Sequence, residues 1–100
     1  MIPETEPSAP SVGSITVRYW AAARAAAGVE ADTVPVGDGM TLADALAAVR
    51  QLHADRPRLA DVVAVCSVLV GDRPVGTSDP GQVTLRGGDT VELLPPFAGG

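Results

Sequence analysis

The chain contains no lysine; all seven basic residues are arginines, and they are scattered along it. There is thus no ε-amine to form a Schiff base or to accept an acyl group. Within the molecule, an activated carboxyl would meet only the α-amine and Cys66. Cys66 is the single cysteine, which excludes an intramolecular disulfide. One histidine, His53, with no second histidine or cysteine near it, supports no metal site. Aromatic residues make up only 3% of the chain, so the core must be built from Ala, Val and Leu. No apolar run is long enough to cross a bilayer. Residues 1–13 lack the basic and apolar regions of a signal peptide. The expected setting is cytoplasmic, away from membranes. The net charge of −5 argues against nucleic acid, because phosphate binding needs clustered Lys and Arg.

What is present describes one small folded domain. The 100 residues are 46% hydrophobic and 19% charged, a globular profile rather than a disordered one. A chain of this length buries only about 60–65% of its unfolded surface, enough for one thin core but not for a deep cleft. Any chemistry is expected to be completed by a partner.

Residues 1–13 are rich in Pro, Ser, Glu and Thr, lack periodicity, and read as a flexible tail. From Ser14, Ile15, Val17 and Tyr19 alternate with Thr16, Arg18 and Trp20, the pattern of a strand with one buried face. Ala22–Ala27 reads as a short helix closed by Gly28. Ala31–Val36 reads as a second strand, with Val34 and Val36 inward and Pro35 marking an edge position. Thr41 and Asp44 form a capping box before the clearest helix, in which Leu42, Ala45, Leu46, Val49 and Leu52 share a face. That helix is expected to fade near Asp55, with a new turn starting at Pro57 and a short helical extension over Arg58–Val63. The apolar run Ala64–Val70 predicts a central strand buried on both faces. Short pairings are expected at Pro74–Gly76 and Gln82–Leu85, and a last strand at Thr90–Leu94. One main helix over one face of a mixed sheet of about five strands predicts an α+β protein of the β-grasp, or ubiquitin-like, class. The domain is expected to span residues 14–95.

The end of the sequence is its most informative part. Pro95 and Pro96 lack backbone donors and fix φ, so they stop the ladder and favour a stiff, extended exit. Residues 96–100 then form a tail closing on Gly99 and Gly100. A C-terminal carboxylate is anionic at pH 7 and must be activated, for instance as an acyl-adenylate, before it can react. Two residues without side chains can thread a narrow channel and take whatever φ/ψ it demands. With 11 glycines in the chain, a terminal pair arises by chance about 1% of the time, which favours a functional reading.

The pieces VRYWAAARAAAG, GMTLADAL, AVCSVLVGDRPV and GGDTVELLPPFAGG together resemble the ubiquitin-like sulfur carriers of the MoaD/ThiS family. The likeness is strongest to the small subunits of molybdopterin synthase and covers Ser14 to Gly100, with PPFAGG its most specific part. Two departures are the N-terminal extension and Cys66-Ser67, where relatives more often carry Asn and a polar residue. The resemblance implies that an ATP-using, ubiquitin-activating-type adenylating enzyme converts the Gly100 carboxylate to an acyl-adenylate. A sulfur donor then leaves a thiocarboxylate, whose sulfur passes to a cyclic pyranopterin in molybdopterin synthesis. The large subunit of the synthase would hold the catalytic site, in a heterotetramer. The carrier itself would bind no cofactor. Gly100, with Gly99 beside it, would carry the chemistry. Leu94, Pro95, Pro96, Phe97 and Ala98 would meet the partner. Two other readings are a sulfur carrier for thiazole or cysteine synthesis, and a non-catalytic ubiquitin-like module or tag.

Other residues read more plainly. Cys66 reads as a core thiol rather than a persulfide relay. His53 reads as a surface residue at a helix end. Asp38–Thr41 reads as a cap rather than a phosphate loop, since the P-loop lysine is missing. Arg24 matches a family arginine and is equally readable as a helix-surface charge.

Overall fold

Strands form where the side chains alternate. The computed structural model describes residues 13–96, and β1 begins at Gly13, one residue before the expected start, and runs to Tyr19. Ile15, Val17 and Tyr19 are buried on one face, as the alternation predicts. Expectations for residues 1–12 and for Phe97, Ala98, Gly99 and Gly100 lie outside the described residues.

Helix α1 (Ala21–Ala27) follows, built almost wholly of the strongest helix former. It starts on Ala21, whose φ of 48° is the one positive value outside glycine among the described residues. Gly28 ends it at φ 78°, where its N–H donates to the Arg24 carbonyl. Side chains rarely adopt that conformation, and the Arg56 guanidinium occupies the place a Cβ would take, with atoms at 2.8 Å. Gly28→Ala should therefore cost about 1–2 kcal/mol and lower Tm by roughly 5–15 °C. Gly37→Ala, with ordinary φ and nothing within 4 Å, should change it little. Thermal melts of the two variants check this.

Strand β2 (Ala31–Val36) pairs antiparallel with β1. It lies at the sheet edge, where Pro35 leaves no ladder bond unmade. Helix α2 (Leu42–Leu52) opens on the predicted capping box. The Asp44 N–H donates to Thr41 Oγ1 at 3.3 Å, and the Thr41 N–H donates to Asp44 Oδ2 at 2.9 Å. Leu42, Ala45 and Val49 are buried, but Leu52 is 57% exposed, against expectation. The helix ends there, and the next residue, His53, leaves helical geometry at φ −113°, ψ 41° and turns inward in its place.

The break expected between Asp55 and Pro57 is present, and the short helical extension expected over Arg58–Val63 is a separate helix, α3 (Pro57–Ala64), with Pro57 at its first turn and Leu59 and Val63 in the core. The expected strand over Ala64–Val70 is corrected accordingly. Ala64 closes α3, Val65 is 61% exposed, and β3 covers only Ser67–Val70, with Ser67 exposed and the other three residues half-buried. A short apolar run suits a helix end as well as a strand, and periodicity alone does not separate them. β4 (Arg73–Pro74) is a two-residue edge strand. Gln82 belongs to a short 3-10 turn over Pro80–Gln82, and Thr84 bridges to Thr41. β5 (Thr90–Leu94) completes the sheet.

The strand order is β2-β1-β5-β3-β4. The last strand thus lies in the middle, parallel to β1 and antiparallel to β3. This is the β-grasp arrangement, a mixed five-stranded sheet with its helices packed on one face. Cover is shared: Ala23 and Ala27 of α1 and Leu59 and Val63 of α3 join α2 over the inward faces of β1, β2 and β5. Val17, Val91 and Leu93 have no exposed surface, so the strand that leads to the tail is anchored at the centre of the core.

Candidate functional site

Val91 and Leu93 face the core, which leaves Glu92 and Leu94 on the opposite face of β5. That alternation was legible in the sequence. Leu94, expected to meet a partner, is half-buried, as is Pro95, and Pro96 is exposed. The chain therefore leaves the sheet directly from its central strand, through two residues that cannot extend the ladder. Neighbouring strands flank that exit. Ser67 pairs with Leu94 on one side, and on the other the Trp20 N–H donates to the Leu93 carbonyl at 3.2 Å.

Trp20 is the part of this surface that the sequence reading missed. It stands one position past β1, 40% exposed. The Arg18 guanidinium lies 5.0 Å from the centre of its ring, and its Nε1–H donates to Glu92 Oε1 at 3.0 Å. Parallel pairing sets Arg18 opposite Glu92. A cation on the ring face and a carboxylate on the ring edge hold the indole in place, and leave it and Leu94 beside the exit. The signal was present as Arg18-x-Trp20 on the outward alternation of β1, but only the register brings Glu92 to it.

His53 is corrected. It is not a surface residue: its side chain is 13% exposed, and Nε2 lies 2.6 Å from Asp32 Oδ2. The Tyr19 hydroxyl donates to the same oxygen at 2.7 Å, and the Tyr19 and His53 rings meet edge to face. Burial, then the hydrogen bond and charge of Asp32, push the Tyr19 phenol far above its ordinary range. The three side chains tie the end of α2 to β1 and β2. Arg24 forms an exposed ion pair with Glu30 at 3.0 Å, a contact that contributes little to stability. No cluster of three metal-ligating side chains occurs among the described residues, and none of their helices is long and apolar enough to cross a membrane.

Cys66 lies in the turn before β3, half-buried, rather than within a strand. Burial pushes its thiol up to about 11. At pH 7 almost none of it is thiolate, which disfavours a relay role. Iodoacetamide should therefore alkylate the folded protein at pH 8 about tenfold more slowly than the denatured chain, because higher intrinsic nucleophilicity offsets part of the lost thiolate. The folded value lies above the ordinary 9.0, so the native state holds the proton more tightly. The stability this contributes is complete below pH 9 and falls as pH rises towards 11. Equal alkylation rates for folded and denatured protein at pH 8 would refute the burial effect.

Comparison with known proteins agrees with this geometry. The ThiS family matches residues 17–100. A molybdopterin synthase sulfur carrier subunit from Chlamydomonas reinhardtii is 36% identical over 86 residues, covering 86% of this chain and 98% of that one. The crystal structure of SAMP1 from Haloferax volcanii superposes with a TM-score of 0.69 at 27% identity, covering 88% of this chain and all of that one. A Helicobacter pylori complex of molybdopterin-converting factor subunits 1 and 2 contains a chain of the same fold, with a TM-score of 0.58 at 22% identity, over 87% of this chain and 99% of that chain. A match across four-fifths of the length, and a relative aligned almost end to end, show that the chain belongs to the ThiS family.

Proposed function

We propose that this chain is the sulfur-carrying small subunit of a molybdopterin synthase, with Gly100 as its reactive terminus. The observation that carries the reading is the 36% identity to a molybdopterin synthase sulfur carrier subunit along 98% of that relative. The carboxylate attacks the α-phosphorus of ATP on an adenylating partner and releases pyrophosphate. A persulfide sulfur then displaces AMP, and a thiol reductant cleaves the acyl disulfide to leave the thiocarboxylate. The sulfur is delivered to a cyclic pyranopterin held by the large subunit. This chain supplies a terminus at a set distance from a rigid strand, and a docking surface around Trp20 and Leu94. The partners supply the catalytic groups, and ATP is bound by the activating enzyme.

A second reading is a modifier joined through its terminus to other proteins, favoured by the 27% identity to SAMP1 from Haloferax volcanii. Intact mass spectrometry of the protein purified from its own cell separates the two. Exchange of one oxygen for one sulfur supports the carrier; adducts with other proteins, and no sulfur species, support the modifier. Co-purification of a large subunit identifies the molybdopterin branch over thiazole or cysteine synthesis.

A further inference from the structure

Helices α1 and α3 wall a groove of about 460 Å³. Its surface is apolar along Ala22, Ala25, Ala26 and Val62, and it carries two cations, Arg56 and Arg58, from the start of α3. Arg56 lies against Gly28 at the far end of α1. Among the described residues neither arginine takes part in a salt bridge.

The same two helices flank the tail exit. The Trp20 N–H bond to the Leu93 carbonyl sets the start of α1 beside the end of β5. The pairing of Ser67 with Leu94 sets the end of α3, only three residues before Ser67, beside the same point. The chain thus leaves at Pro95 and Pro96 close to both walls of the groove.

We propose that Phe97–Gly100 of this same chain dock in the α1–α3 groove when no partner holds the terminus. Phe97 rests on the alanine and Val62 surface, and the Gly100 carboxylate meets Arg56 and Arg58. This rests on the carrier reading, in which Gly100 ends the chain. Four residues span up to about 13 Å. The seven residues of α1 span about 10 Å, so the carboxylate reaches the arginine end. Guanidinium groups match a carboxylate geometrically as well as in charge. The N-terminal segment also carries acids, Glu4 and Glu6, but it joins at Gly13. That is the opposite end of β1 from α1, about 20 Å away along seven residues. An exposed ion pair and one ring on a shallow floor make a weak contact, which a partner channel can displace. The docked state keeps the terminus close to the domain until it is engaged.

Nuclear magnetic resonance on the full chain tests this. Nuclear Overhauser contacts are expected between Phe97 ring protons and the methyls of Ala25, Ala26 or Val62. Arg58→Glu, an exposed change outside the core, should abolish them and move the Gly99 and Gly100 amides to random-coil shifts, whereas Arg58→Lys should keep them. Absence of these contacts in the unmodified chain, Gly100 shifts unaltered by Arg58→Glu, or contacts from residues 1–12 in their place would each overturn the proposal. ATP–pyrophosphate exchange with the adenylating enzyme keeps the two readings apart. Activation without tail contacts retains the carrier and removes the docked state; tail contacts without activation do the reverse.

Discussion

Adding a single alanine after Gly100 is expected to lower sulfur transfer at least about 100-fold while leaving the melting temperature unchanged. The reason lies in how the terminus is anchored. β5 is the central strand, paired on both sides, and Val91 and Leu93 are fully buried. Pro95 and Pro96 then stop the ladder and restrict φ, so the chain leaves a rigid base in a restricted direction. One added residue moves the terminal carbonyl by roughly 3.3 Å, where about 1 Å of misplacement already costs 10²-fold. Deleting Gly100 should have the same effect in the opposite direction. The change lies beyond every buried residue described, so the fold has no reason to respond. Complementation of a cell lacking the carrier, with intact mass to confirm that the extension is retained, measures it. Restored cofactor synthesis by an untrimmed, extended chain would refute the role of Gly100.

Loss of partner affinity by about 2–4 kcal/mol, some 30- to 1000-fold, is expected from Trp20→Ala. Trp20 is exposed, so its removal should cost the folded state little, while its indole is held in one orientation by Arg18 and Glu92. A large aromatic held rigid beside the point where the chain leaves β5 loses little entropy on binding, which suits an anchor residue. Leu94→Asp should weaken binding similarly. It should also lower Tm modestly, because Leu94 is half-buried and the new carboxylate would share a face with Glu92. Phe97→Asp is expected to weaken binding without affecting Tm. A titration against the large subunit paired with thermal melts decides the matter. A large fall in Tm with unchanged affinity of the folded protein would place the docking surface elsewhere.

Local patterns in the sequence determined much of this protein. Alternation along Ile15–Val17–Tyr19 and Val91–Leu93 set which faces of β1 and β5 are buried. Thr41 with Asp44 set where α2 begins, Gly28 where α1 ends, and Pro35 an edge strand. Each is a short-range effect of sterics or of hydrogen bonds within a few residues, so it can be read from neighbours in the chain. The Pro95-Pro96 stop after β5 is legible for the same reason.

Contacts between residues far apart in the chain decided the rest. The apolar run Ala64–Val70 was divided between α3, a turn and β3, because the helix buries Leu59 and Val63 against the core before the strand begins. His53 looked like a solvated helix end until the position of β2 placed Asp32 within 2.6 Å of it. Trp20 and Glu92 are 72 positions apart, and only the parallel pairing of β1 with β5 makes one surface of them. Burial and pairing at such separations depend on strand order and register, which are set by the packing of the whole core rather than by any local pattern.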